Sequence, residues 1–90
     1  MSPVAASIRE QLSEENEKAL FADGFDAALI GIARRCGQPA LPVYSRQKCI
    51  EILSKDMPPD EAEEYFEFNV GGAWIGENTP IFMDVPYYDA

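Results

Sequence analysis

Arg34, Arg35, Arg46 and Lys48 fall in a stretch, residues 27–50, that contains no Asp or Glu. The stretch carries a formal charge of +4 in a chain whose net charge is −9, and the remainder sets three bases against sixteen acids. Guanidinium forks match the geometry of phosphate oxygens, and a helix opening after Ser45 would add a partial positive charge. If the Gly37-Gln38-Pro39 turn brings its two flanks together, the four cations form an anion site. Tyr44 or Trp74 could stack on a base beside it, and Asn78 could hydrogen-bond a base edge. The expectation is a small anionic ligand of nucleotide type. The plainer alternative is that these bases neutralise acids elsewhere on the surface.

Those acids are concentrated in one run, DEAEEYFE, which holds Asp60, Glu61, Glu63, Glu64 and Glu67. Such a run can imitate nucleic-acid phosphates and fill the basic cleft of a protein partner, or it can be the solvated face of an amphipathic helix. A third candidate, FNVGGAWIGENTP at residues 68–80, combines two aromatics, three glycines and two asparagines. It reads either as a helix end closing a core or as a pocket wall that includes Trp74 and Asn78.

Catalysis finds little footing. The chain has no histidine, so Ser/His and Cys/His pairs are impossible. Ser45-Arg-Gln-Lys48 has the Ser-x-x-Lys spacing, but a helix cap explains it better. Cys36 and Cys49 lack CxxC spacing, and Asp23-Gly24-Phe25-Asp26 lacks the full calcium-loop pattern. No catalytic residue, metal site or cofactor is expected.

The elements that must position these groups read as follows. Pro3 after Ser2, or the capping box Ser7-Ile-Arg-Glu10, starts a largely solvated helix that runs to about residue 20. Asp23-Gly24 breaks the chain, and a strand follows over roughly 27–34. CGQP turns into a second, shorter strand, ALPVY, which Pro42 marks as an edge. Ser45 caps a helix through SRQKCIEILSK. Pro59 opens a third helix, in which Ala62, Tyr65, Phe66, Asn69 and Val70 form one face. Gly71 or Gly72 is expected as its left-handed C-cap. A loop hinged at Gly76 leads to a final strand, TPIFMD. The predicted class is α+β: a small antiparallel sheet of about three strands with helices packed on one face, in the order α-β-β-α-α-β.

Ninety residues make one small domain, 1–90, with fraying expected at 1–6 and 85–90. At this size self-association is a common source of extra stability, so a homo-oligomer is expected, with Tyr87 and Tyr88 available to cover a neighbouring chain. The acidic balance, with a pI near 4.2, disfavours nucleic acid as a partner. Two cysteines fit a reducing compartment. The first eighteen residues show no apolar run and no stretch is long enough to span a bilayer, so neither signal peptide nor membrane partner is expected.

The runs VYSRQKCIEIL and DEAEEYFEFNVGGAWIGENTPIF resemble a group of small accessory proteins encoded by tailed bacteriophages and prophages, marked by a C-terminal FNxxGAWxGExTPxF pattern. The likeness covers roughly residues 25–83 and favours the strand reading of 27–34. Two departures stand out: Ser45 replaces the usual Asp, and Pro58-Pro59 replaces a Ser/Thr cap. The resemblance implies a protein of the infected host's cytoplasm, by analogy acting in counter-defence. Two functions follow as expectations: sequestration of a small anionic ligand through Arg34, Arg35, Tyr44, Arg46, Lys48, Trp74 and Asn78, or inhibition of a host protein through the acidic helix.

Overall fold

The computed structural model describes residues 2–73 and 75–86. Helix α1 spans Pro3–Glu15; Ser2 caps it, its Oγ accepting from the Ala5 amide at 3.1 Å. The helix buries Ala5, Ile8 and Leu12, one i, i+3/i+4 stripe, and ends earlier than the predicted residue 20. A single 3-10 turn, Asp26–Ala28, leads into strand β1, Leu29–Ala33, inside the predicted window. Strand β2 is Leu41–Ser45, helix α2 Arg46–Leu53, helix α3 Pro59–Phe66, and strand β3 Ile81–Met83. The predicted α-β-β-α-α-β order and α+β class hold.

The sheet order is β1-β2-β3. β1 and β2 pair antiparallel, as a short hairpin requires, whereas β2 and β3 pair parallel, so the sheet is mixed. Between β2 and β3 the chain makes a helical crossover, and such a crossover returns the next strand in the same direction. Pro42 therefore sits on the central strand, not on an edge strand. Its missing amide is tolerated because β3 covers only Val43 to Ser45, leaving Pro42 beside β1 alone.

Leu29, Tyr44 and Phe82 lie in one row across the three strands, and the core gathers on that face. A β-bulge between Leu29 and Gly31 shifts the alternation by one, which returns Ile32 to the core side although it is three residues from Leu29. Ile8 and Leu12 of α1, Cys49 of α2 and Phe66 of α3 pack onto the row. The Phe66 and Phe82 rings meet edge to face at 5.2 Å. The opposite face carries Gly31, Ala33, Val43 and Ile81.

Helix α3 does not end on a left-handed glycine. It continues as a π-turn, Glu67–Gly71, and Gly72 follows at φ −88°. The glycines are needed for space: a Cβ on Gly71 would stand 2.5 Å from the Phe66 ring, and one on Gly72 would collide with the Glu67 carbonyl. Left-handed glycines occur instead at the loop positions 24, 37 and 76.

Candidate functional site

The hairpin register decides the fate of the predicted anion site. Ala33 pairs with Leu41 and Leu29 with Tyr44, so Arg34 and Arg35 emerge at one end of the sheet and Arg46 and Lys48 at the other. At about 3.3 Å per strand residue the two pairs are separated by roughly 15–20 Å. The Gly37-Gln38-Pro39 turn closes the hairpin but does not join its far ends. The four cations form two groups.

Arg46 is also committed. It donates from Nε to Glu67 Oε1 at 2.9 Å and makes a second contact to the same oxygen through a terminal nitrogen. Glu63 lies 3.5 Å and Asp84 3.9 Å from its terminal nitrogens, and its guanidinium rests 5.8 Å from the Phe66 ring centre. Its pKa is raised above the ordinary arginine value, first by the Glu67 hydrogen bond. Arg46 fastens the first turn of α2 to the side of α3. Lys48 lies near Glu51, Ile52 and Lys55, away from the hairpin tip.

Tyr44 cannot stack on a ligand. It is 0% exposed, its ring stacks on Phe82 at 5.6 Å, and its hydroxyl accepts the Ala22 amide at 2.9 Å. Burial pushes its phenol pKa up. The alternation of β2 places Tyr44 in the Leu29–Phe82 row, a role that the sequence disguised because a Tyr beside two basic residues reads equally as a surface residue. Asn78 is structural as well. Its side-chain oxygen accepts from Asn16 Nδ2 at 3.0 Å, its carbonyl accepts the Leu20 amide at 3.1 Å, and Asn16 also reaches the Ala40 carbonyl at 2.9 Å. This network ties the end of α1 to both the hairpin and the 75–80 loop. Trp74 lies outside the described residues.

Arg34 and Arg35 do meet the 68–80 motif. They line a cleft of about 460 Å³ together with Gln38, Gly72, Glu77 and Thr79 over an apolar floor of Leu41 and Phe82. Arg34 is bound to Glu15 by both Nε, at 3.3 Å, and a terminal nitrogen, at 2.6 Å. Arg35 makes no ion pair among the described residues. With Glu15 and Glu77 opposing the two arginines, the cleft has no net positive charge.

The acidic run behaves differently on its two sides. Glu63 and Glu67, one turn apart, face α2 and hold Arg46. Asp60, Glu61 and Glu64 are exposed and make no ion pair among the described residues. Asp60 and Glu61 sit in the first turn, where the helix dipole favours them. Beside them Tyr65 is 46% and Phe68 77% exposed. Phe68 was not among the predicted site residues, although helical spacing already sets it about 200° from Phe66, on the side away from the core.

The cysteines are inert toward each other. Cys36 is exposed, whereas Cys49 is buried and its thiol pKa is pushed up to about 12 by desolvation. Among the described residues no group of three or more Cys, Asp or Glu side chains is placed to hold a metal ion, and no helix is long and apolar enough to cross a membrane. Compared with protein-family models, curated proteins and solved structures, the chain matches none.

Proposed function

We propose that the chain is a non-catalytic interaction protein that engages a basic surface of a protein partner through the outer side of α3 and its π-turn. The observation that carries this reading is Phe68, a large aromatic 77% exposed, which lines one depression with Glu61 and Glu64, carboxylates that, like Asp60, make no ion pair among the described residues. An exposed aromatic next to charges of one sign supplies both an apolar anchor and electrostatic steering. Net charge of −9 extends that field over the molecule. The resemblance of residues 25–83, with their motif at 68–82, to phage accessory proteins suggests a bacterial host's defence or nucleic-acid enzyme as the partner class, met in the infected cell's cytoplasm.

The test is affinity capture from bacteria expressing the tagged chain, wild type against Asp60→Lys/Glu61→Lys/Glu64→Lys. Glu63 and Glu67 stay untouched because reversing them would strip Arg46 of its partners. A host protein retained by the wild type, released by added salt and lost from the variant supports the reading. Equal recovery with both removes the acidic side from the function.

A second reading, sequestration of a small anionic ligand in the hairpin-tip cleft, is favoured by the single convergence of Arg34 and Arg35 with the 68–80 motif. Native mass spectrometry distinguishes it: a bound small mass that disappears on denaturation and with Arg35→Glu would transfer the function to that cleft.

A further inference from the structure

Next to the acidic side of α3 lies a second cleft, of about 510 Å³, which the sequence did not announce. Its walls come from four separate segments: the 20–25 loop, the end of α2, the π-turn and the 75–82 segment. Phe21, Leu53, Val70 and Phe82 line its apolar interior, while Asp23 and Asp56 stand among its polar lining. The volume lies in the range that accepts a small molecule or one or two large side chains. Met57, Tyr65 and Asn69 are shared with a shallower depression of about 310 Å³ that reaches Glu61, Glu64 and Phe68. The two hollows thus adjoin at these three side chains and are taken together as one groove.

The groove's charge is all of one sign. Asp23, Asp56, Glu61 and Glu64 line it, and no Lys or Arg does among the described residues. Arg9 lies against the Phe21 ring at 4.1 Å and is paired with Asp26 at 2.7 Å, and Lys55, next in sequence to Asp56, lines neither hollow. An apolar trough with acidic lining is complementary to a segment that alternates bulky apolar and basic side chains at helical spacing. It repels acidic segments and gives a purely polar basic segment nothing to bury.

We propose that this groove docks a cationic amphipathic segment of the partner protein, one aromatic or branched side chain entering the cleft between α2 and the π-turn while its Lys and Arg residues face Asp23, Asp56, Glu61 and Glu64. The proposal rests on the acidic-side reading above and adds the site and the kind of segment that fills it.

The experiment is a titration of the isotope-labelled full chain, followed by NMR, with a helical Leu/Lys peptide carrying one Trp. Two matched peptides accompany it, one with Glu for every Lys and one with Ser for every Leu and the Trp. The expected result is saturable binding of the first peptide alone, with shifts concentrated at residues 20–25, 52–57 and 65–70. Affinity should fall roughly tenfold in Glu61→Lys/Glu64→Lys, whose exposed positions leave the fold intact. Equal binding of the Ser/Lys peptide, with shifts scattered over all the carboxylates, would reduce the effect to general attraction and overturn the proposal. So would the absence of shifts in the cleft, or self-association that blocks the peptide and so makes a second copy the occupant. If the peptide fails while the charge-reversed chain still loses its captured host protein, the interaction reading stands and only the groove assignment falls.

Discussion

Replacing Tyr44 by Phe removes one oxygen atom from the centre of the fold and keeps the ring. The ring contributes packing against Phe82 and the α1 stripe, and Phe preserves both. What disappears is the acceptor of the Ala22 amide, 2.9 Å away, in a residue with no solvent exposure. A neutral hydrogen bond contributes about 1 kcal/mol, and an amide left without its acceptor adds to the loss, so about 1–2 kcal/mol is expected. For a chain of this size each kcal/mol lowers Tm by about 4–8 °C, which gives a fall of roughly 4–16 °C. Thermal unfolding followed by circular dichroism measures it, with urea titration checking that the m-value is unchanged. A Tm within about 2 °C of wild type would mean that the hydroxyl does not hold the 20–25 loop. That result would refute the buried hydrogen bond between the Tyr44 hydroxyl and the Ala22 amide.

Gly71→Ala should cost about 1–3 kcal/mol, because the new methyl can be accommodated only by displacing the Phe66 ring from Phe82; unchanged urea stability would contradict the tight π-turn. Arg46→Gln leaves Glu63, Glu67 and Asp84 without their common counter-charge, and the loss, about 1 kcal/mol at low ionic strength, should shrink as salt is added. A salt-independent loss would point to packing on Phe66 rather than charge. Thiol labelling should modify Cys36 at once and Cys49 only as the chain opens, so prompt reaction of both would contradict the burial of Cys49. The Cys49 thiol is harder to ionise in the fold than in the unfolded chain, where it titrates near 9.0. Stability is therefore kept below about pH 9 and lost as pH rises toward 12, by about 1 kcal/mol between pH 9 and 10. Cys49→Ala should flatten this decline, leaving only the contribution of the buried Tyr44 at higher pH.

The local signals in the sequence were legible because they act within a few residues. Ser2-Pro3, Ser45 and Pro59 each start a helix where capping chemistry places one, and Gly24, Gly37 and Gly76 turn where a left-handed backbone is required. What escaped depends on partners distant in the chain. That Pro42 is central follows from the arrival of residues 81–83, nearly forty positions later. The glycines at 71 and 72 read as a cap, yet it is the ring of Phe66 and the Glu67 carbonyl that forbid a side chain there. The candidate anion site failed for a similar reason: sequence proximity put Arg34 and Arg46 in one stretch, and an antiparallel hairpin separates its outer flanks from its tip. The alternation of β2 buries Tyr44 and helical spacing turns Phe68 away from Phe66, but which side of each element meets the core is decided by partners distant in the chain.

The parallel pairing of β3 with β2 also bears on the order in which the chain assembles. The hairpin closes a seven-residue connection, 34–40, whereas β3 reaches its partner only after the thirty-five residues of the crossover, 46–80, are in place. By loop length alone the second closure costs about 1.4 kcal/mol more in chain entropy. Its reward is three paired positions, together with the contacts of Phe82 to Tyr44 and Phe66. Emerging from the ribosome after both strands of the hairpin, the Thr79–Met83 segment acts as a latch on a half-built molecule. Until it engages, β2 keeps one edge unpaired, the side on which only residues 81–83 complete the sheet.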